Sequence, residues 1–468
     1  MNAASITGLL PPRIAIRLDK LVDVFRGDTH AARTKRGAVF GIVARVINAG
    51  LLFLTQILLA RVLGAAEFGV VALATTWATT LGSLGSLGLS MTPQRFQPDY
   101  VVRGQLGLLH GLYRFAHVVP ALGALGLAVI AVCGLWVAGQ DIDPAVRIGV
   151  LIGLVALPAL ATMDVVEGFA LANEWSDLAY GLTFVIRPLL LPLLAIAAFL
   201  GGADPSSTTV LIAFTLAAWI AAAALVYLVA KRFHARHAAA EPTYETRRWF
   251  GIAMPTLLTD VTFVAMGSID ILVMSIFASN ADTGIYAAAA KIVGVVAFVH
   301  FGLSYASAHH YAALRDSADD PDALRRFAIA TARWTFWPSL TVAAAVALLG
   351  VPLLALFGKD FTGGAVVMPI LLTALVARAF IGPSEQLLVM TDHARTVTKI
   401  YAAAAIGNLM LAVALTPFLG ALGVAIAQTA AGLGATLATA ISVRAAVGGW
   451  VHALARTPPL PASTNRSN

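Results

Sequence analysis

The sequence predicts an all-α polytopic membrane protein with about twelve transmembrane helices in two six-helix lobes related by a parallel internal repeat. Three observations carry this reading. Of 468 residues, 59% are hydrophobic and only 12% charged, with a mean hydropathy of +0.84, whereas a soluble domain carries roughly 25% charged residues. The apolar residues run in long uninterrupted stretches, and two groups of matched residues recur at nearly one spacing.

A bilayer core about 30 Å thick takes roughly 20 apolar residues per helix. Such runs fall at 38–62, 68–90, 112–138, 146–170, 177–200, 208–230, 250–277, 284–310, 334–357, 365–391, 398–417 and 420–446. Within them, stretches such as 151–161 and 216–230 lack the alternation of an outer-membrane barrel strand. The single cysteine, Cys133, excludes a disulfide framework and a thiolate metal cluster. The formal charge of +7 would suggest nucleic acid in a soluble protein, but here placement decides, and no nucleic-acid partner is expected.

The cations gather on one side. Arg33, Lys35 and Arg36 precede the first span, and Arg95, Arg103, Lys231, Arg232, Arg236, Arg247, Arg248, Arg315, Arg325, Arg326, Arg395 and Arg456 follow on that side. The opposite connections hold Asp141, Asp143 and Asp204, with Lys359 the one conspicuous cation. Because cationic loops resist translocation, both termini are expected in the cytoplasm.

The expected organisation is an N-terminal segment 1–37, a first lobe 38–230, a basic linker 231–249, a second lobe 250–446 and a disordered tail 447–468 containing Pro458, Pro459 and Pro461. The N-terminal segment lacks the pattern of a cleavable signal. Its Ile14, Leu18, Leu21, Val22 and Phe25 stand at helical spacing among Arg13, Arg17, Lys20 and Arg26. That pattern fits equally a helix on an anionic leaflet and a disordered basic tail.

The repeat is read from two matches. An offset of 215 residues carries Glu67 and Gly69, after the first span, onto Asp282 and Gly284, after the seventh. An offset of 218 carries Glu167 and Glu174 onto Glu385 and Asp392. An even number of spans per repeat makes the lobes parallel, about an axis normal to the bilayer, and transporters built this way place their site between lobes.

The run Leu58-Leu59-Ala60-Arg61-Val62-Leu63-Gly64-Ala65-Ala66-Glu67-Phe68-Gly69, the following Gly85-Ser86-Leu87-Gly88-Leu89, and Gly284-Ile285-Tyr286-Ala287-Ala288-Ala289-Ala290-Lys291-Ile292 resemble the polysaccharide-transporter branch of the MOP (multidrug/oligosaccharidyl-lipid/polysaccharide) exporter superfamily, the Wzx-type oligosaccharide flippases. The similarity covers residues 36–446, and its motifs are hydrophobic and glycine-based rather than catalytic. It implies a MATE/MOP-like fold. It also implies transport of a polyprenyl-diphosphate-linked glycan across the bacterial inner membrane by alternating access, with membrane lipids and the polysaccharide polymerase machinery as further partners. No cofactor is implied, and a proton gradient, a sodium gradient or the membrane potential is the expected energy source.

Charges at helix centres are costly, so each is a functional candidate. Arg187 and Arg378 fall near the middle of the fifth and tenth spans, Arg45 in the basic-side half of the first, and Lys291 toward the far end of the eighth. These four are the candidate substrate-binding residues, expected to line one interlobe cavity and hold a diphosphate. Asp260, Asp270 and Glu385 are the candidate gating or ion-coupling residues. Asp260 is the repeat mate of Arg45 at the 215 offset, so a contact between them that is exchanged during transport is one possible gate. Asp164 and Glu167 share a face near a span end and read as snorkelling.

Pro255, with Gly251 and Gly267 nearby, marks a candidate hinge in the seventh span. Gly82, Gly85 and Gly88 read as close-packing positions, and Trp175, Trp249, Trp334 and Trp450 as interfacial anchors. His309 and His310 lack a second ligand cluster, and Gly358-Lys359 lacks the rest of a phosphate-binding loop.

Three functions are weighed. A lipid-linked oligosaccharide flippase comes first. An ion-coupled exporter of small cations or drugs would favour an acidic cavity. A polysaccharide polymerase or integral glycosyltransferase would be expected to carry a sizeable extramembrane loop, and the far-side connections are about ten residues or less. No metal and no catalytic residue are expected.

Overall fold

The computed structural model describes residues 30–137, 142–315, 320 and 322–459; the N-terminal amphipathic pattern and Asp141 lie outside them. Every regular element among the described residues is helical. The longest, α1 (His30–Gly85, 56 residues), is interrupted at Gly64, whose φ of 75° and ψ of 176° are not helical. At about 1.5 Å per residue an unbroken helix of that length would run roughly 84 Å, far more than a bilayer core. The glycine, free of a Cβ, takes the left-handed φ and divides α1 into two spans.

Eight helices are long and apolar enough to cross a membrane, with α1 counted once, and a bent pair makes a ninth. Dividing α1 gives a tenth. The remaining two predicted spans are broken or charge-bearing: α10 (Asn280–Gly294) with α11 (Ala297–Arg315), and α12 (Ala323–Leu348) with the short α13 (Gly350–Ala355). The apolar runs predict twelve spans; among the described residues up to nine qualify by length and composition, with α1 counted once.

The other spans are built as follows. After a 3₁₀ turn at Leu89–Met91 and α2 (Thr92–Val102) come α3 (Leu106–Val137), the pair α4 (Pro144–Val155) and α5 (Leu157–Ala172), then α6 (Ser176–Gly181) and α7 (Arg187–Leu200), and α8 (Ser207–Arg236). The second half has α9 (Thr246–Phe277), then α10 to α13, a 3₁₀ segment Lys359–Val366 bent by 54° against α14 (Met368–Phe380), α15 (Ser384–Met390), α16 (Ala394–Leu419) and α17 (Ala421–Val447).

The repeat appears as reciprocal packing. A Cβ on Gly69 would lie 1.8 Å from the Asn280 carbonyl, and one on Gly284 would lie 2.2 Å from the Ala65 carbonyl. The mates at offset 215 thus contact each other in the manner of a twofold interface. Glu174 and Asp392, matched at 218, both take positive φ, 61° and 64°. The acids of the first motif serve the helix ends: Glu67 accepts from the Ser207 amide at 2.6 Å, and Asp282 donates its amide to the capping Ser279 Oγ at 3.1 Å and accepts from that hydroxyl at 2.7 Å. Gly85 and Gly88 allow close packing as expected, one against Ala124 and the other against the Ala253 carbonyl.

The segment after α8 lies across the first half. Thr243 N donates to Gly107 O at 2.9 Å, Tyr100 Oη to Glu245 at 3.0 Å, and Trp249 Nε1 to Tyr100 Oη at 2.9 Å.

Three expectations are corrected here. Residues 449–459 are not a disordered tail; Val451 and Ala455 are buried in a core cluster with Leu387 and Leu388. Trp175 and Trp249 are buried and not interfacial, whereas Trp334 and Trp450 are exposed. The helix α9 continues through Pro255 without a break, and Thr256 and Thr259 Oγ1 donate to the Ile252 and Pro255 carbonyls around it. The breaks fall elsewhere, at Gly64, at a π-helical turn Leu182–Ile186, and at 381–383.

Candidate functional site

A cavity of about 780 Å³ lies where the first arm of α1 meets the second half of the chain. Phe53 and Gln56 of α1 line it, with Asp270 of α9, Tyr286 and Lys291 of α10, Arg378 of α14, Tyr401 of α16, and Gln428 and Thr436 of α17. Small residues such as Gly267, Gly294 and Gly432 leave the space open between helices.

Glu385, on α15, gathers the first cluster. Arg378 Nε donates to its Oε1 at 2.8 Å, Tyr401 Oη donates to the same oxygen, and His300 Nε2 stands 3.4 Å from Oε2. The Glu385 and His300 side chains are 12% and 6% exposed. A carboxylate so buried is stabilised only by this degree of pairing. The Arg378 guanidinium also lies over the Phe301 and Tyr401 rings, at 5.8 and 5.9 Å. The break at 381–383 makes the arrangement possible, since a straight helix would set residues seven apart at roughly 10.5 Å along the axis.

Asp270 forms the second cluster. Its Oδ2 accepts from Tyr286 Oη at 3.1 Å, its Oδ1 from the Ile271 amide at 2.8 Å, and Lys291 lies within its electrostatic reach. Lys291 itself is exposed to the cavity.

Arg45 and Arg187 do not line this cavity, which corrects the expectation of four cations in one chamber. They surround Glu167 in the first half, where the carboxylate interacts with both and with Asp164. The Arg45 guanidinium lies over the Tyr180 and Phe184 rings at 4.9 and 5.2 Å. Glu167 is therefore a half-buried neighbour of half-buried cations from other spans, in place of the snorkelling group expected. Arg187 follows the π-helical turn at Leu182–Ile186; Pro188 has no amide to donate back to Phe184, which loosens the ladder there. Glu167 and Glu385, matched at the 218 offset, thus each stand beside arginines, Glu167 within the electrostatic reach of Arg45 and Arg187 from other spans and Glu385 paired with Arg378 across the break in its own span. Asp260 interacts with Asp164 across the halves.

Several groups escaped the sequence reading: His300, Tyr286, Tyr401, Gln56 and Gln428. Each is a polar residue inside a hydrophobic span, the signal that had selected the charged ones. Gln428 Nε2 donates to Met266 O at 3.1 Å, and its Oε1 accepts from Asn408 Nδ2 at 2.5 Å, which ties α17 to α9 and α16.

The two halves meet firmly at the end remote from the linker. Phe68 and Phe53 pack on Phe357 and Phe361, with centroids 5.6–6.4 Å apart, Arg61 Nε donates to Leu356 O at 2.5 Å, and Asn280 Nδ2 donates to Asp143 at 3.1 Å. Closer to mid-span, Thr80 Oγ1 donates to Ser268 Oγ at 3.0 Å.

Comparison with known proteins places this architecture. No curated protein matches the chain in sequence. Among solved structures it is similar to an inward-facing MATE-family multidrug resistance transporter of the MOP superfamily (TM-score 0.70, 13% identity, 87% of this chain and 98% of that one). It is similar also to the lipid II flippase MurJ in an inward closed conformation (0.68, 15%, 87% of both chains). To an outward-facing MATE-family transporter of the MOP superfamily the score is 0.58, with 16% identity, 91% of this chain and 98% of that one. At these identities the likeness is one of fold. In sequence, the family described as polysaccharide biosynthesis protein matches residues 34–306, more than half of the chain. The chain belongs to the polysaccharide biosynthesis protein family, built on the fold of the MOP superfamily transporters.

Proposed function

We propose that this protein is a flippase that moves a polyprenyl-diphosphate-linked oligosaccharide from the cytoplasmic to the outer leaflet of the bacterial inner membrane. The observation that carries the reading is the pair Lys291 and Arg378 in one cavity of about 780 Å³. A point charge and a planar fork suit two phosphates. The volume falls in the range of small-ligand sites, roughly 300–1,000 Å³, so it accommodates the diphosphate and the adjoining sugar rather than a whole glycan. Gln56, Gln428 and Thr436 supply hydrogen bonds for sugar hydroxyls, and Phe53 and Leu375 an apolar wall.

The basic side is the cytoplasmic one on this reading, because the positive-inside rule puts the linker and both termini there. Closure at the opposite end, and the higher similarity to an inward-facing relative than to an outward-facing one, support an inward-facing state. Binding of the diphosphate would compete with Glu385 for Arg378 and with Asp270 for Lys291. That competition gives substrate a differential affinity for one state, which a carrier requires. A gradient of protons or sodium, or the membrane potential, then resets the empty carrier.

Drug or cation export is the second reading, favoured by the carboxylates around the cavity. Each of them is engaged by an internal cation, which leaves no net acidic wall.

The test is binding and flux in proteoliposomes with a fluorescent polyprenyl-diphosphate sugar. Lys291→Gln and Arg378→Gln should each weaken binding by about tenfold, the loss of one charge-assisted contact of roughly 1.5 kcal/mol. Unchanged binding in both variants, or uptake of lipophilic cations in place of the glycan lipid, would refute the reading.

A further inference from the structure

Beyond α17 the chain does not leave the molecule. Gly448, at φ 70°, ends the helix in the left-handed conformation and turns the backbone back. Residues 449–459 then cross the second half of the protein, on the side where α17 ends, as a non-helical strap with a turn at 452–455. The strap lies over the break in the tenth span. Ala453 N donates to the Phe380 carbonyl, which the end of α14 leaves without a helical partner, at 2.9 Å. The His452 ring stacks on Phe380, with centroids 5.0 Å apart at 14°. Val451 and Ala455 sit in the core cluster of Leu387 and Leu388, on the other side of the break, together with Tyr401.

Arg333 of α12 fixes the strap. Its Nε donates to Ala453 O at 3.1 Å and its Nη2 to Ala455 O at 2.6 Å. Arg326 adds a bond to Pro459 O at 2.9 Å. At the break itself Gly382, at φ 65°, leaves no room for a Cβ, which would lie 2.6 Å from Ala332 Cα. One end of the break carries Arg378 and the other Glu385. The interlobe segment after α8 makes the corresponding crossing in the first half, with Thr243 on Gly107 and Ala238 O bonded to His110.

We propose that the strap 449–455 and Arg333 form a positioning device: they hold the two ends of the broken span so that Arg378 and Glu385 pair and Arg378 faces the cavity. The fork of Arg333 is required because two carbonyls must be bridged at once. The backbone part of the proposal stands on contacts alone; its consequence for ligand rests on the function proposed above.

The experiment uses full-length protein in nanodiscs, with Arg333→Gln, Arg333→Lys and His452→Ala. Amide hydrogen exchange should quicken by about tenfold or more at 379–388 in Arg333→Gln while α1 to α8 stay unchanged, because local opening and not global unfolding is being read. Arg333→Lys, which keeps the charge but loses the planar fork, should lie between wild type and Arg333→Gln, and His452→Ala should shift the same peptides. Binding of the fluorescent polyprenyl-diphosphate sugar is then read in Arg333→Gln, Arg378→Gln and the double variant. If Arg333 acts through Arg378, the double variant binds no more weakly than Arg378→Gln alone. Unchanged exchange at 379–388, or losses that simply add, would overturn the positioning role. Loss of ligand sensitivity to Arg378 with quickened exchange would instead refute the proposed substrate and leave the positioning role standing.

Discussion

A carboxylate and a guanidinium taken out of water together are costly to separate, and the Arg378–Glu385 pair illustrates why membrane carriers keep such pairs. Removing one partner of a buried pair costs about 3–5 kcal/mol, because the other charge is left uncompensated. Glu385→Gln should therefore lower the thermal stability of the purified protein more than the double change Arg378→Gln with Glu385→Gln. Fluorescence-detected unfolding in detergent checks this, and a double variant less stable than the single one would show the pair to be independent. The cations themselves were legible in the sequence because an ionised group in an apolar run is rare. Their partners were not, since Arg378 and Glu385 come together only through the break at 381–383, and Arg45 reaches Glu167 from a different span. For the same reason the four cations divide into two groups instead of sharing one chamber.

At the scale of elements, the helices follow from apolar run length, but their breaks do not follow from proline alone. Pro255 sits in a continuous helix, while Gly64 and the turn before Arg187-Pro188 interrupt theirs. Around Pro255 the hydroxyls of Thr256 and Thr259 add bonds to the carbonyls one turn back, Ile252 and Pro255. The matched glycines were visible as a motif, yet only packing reveals their work: Gly69 and Gly284 let two spans touch backbone to backbone. A side chain there has no space. Gly284→Val should therefore keep the far-side ends apart, increasing the reaction of a cysteine placed at Phe361 with a membrane-impermeant thiol reagent by about tenfold. Labelling equal to that of the parent protein would count against closure by this contact.

At the scale of the whole molecule the all-helical membrane fold was legible from composition, and the offset of 215 pointed to the reciprocal contact of Gly69 and Gly284. Hidden from sequence were the degree of closure at each end and the docking of 449–459, whose prolines suggest disorder but whose carbonyls are held by Arg333 and Arg326. A central claim follows from the assembled structure: the halves must part at the end remote from the linker for substrate to leave. Asp143 and Asn280 join the halves there, at 3.1 Å. The most direct measurement is glycan-lipid translocation in proteoliposomes by Asp143→Cys with Asn280→Cys in a Cys133→Ser background, before and after a short, cleavable thiol crosslink. The account predicts that the uncrosslinked protein translocates, that the crosslink stops translocation while leaving binding intact, and that cleaving it restores transport. Undiminished translocation with the halves locked together at that end would contradict it.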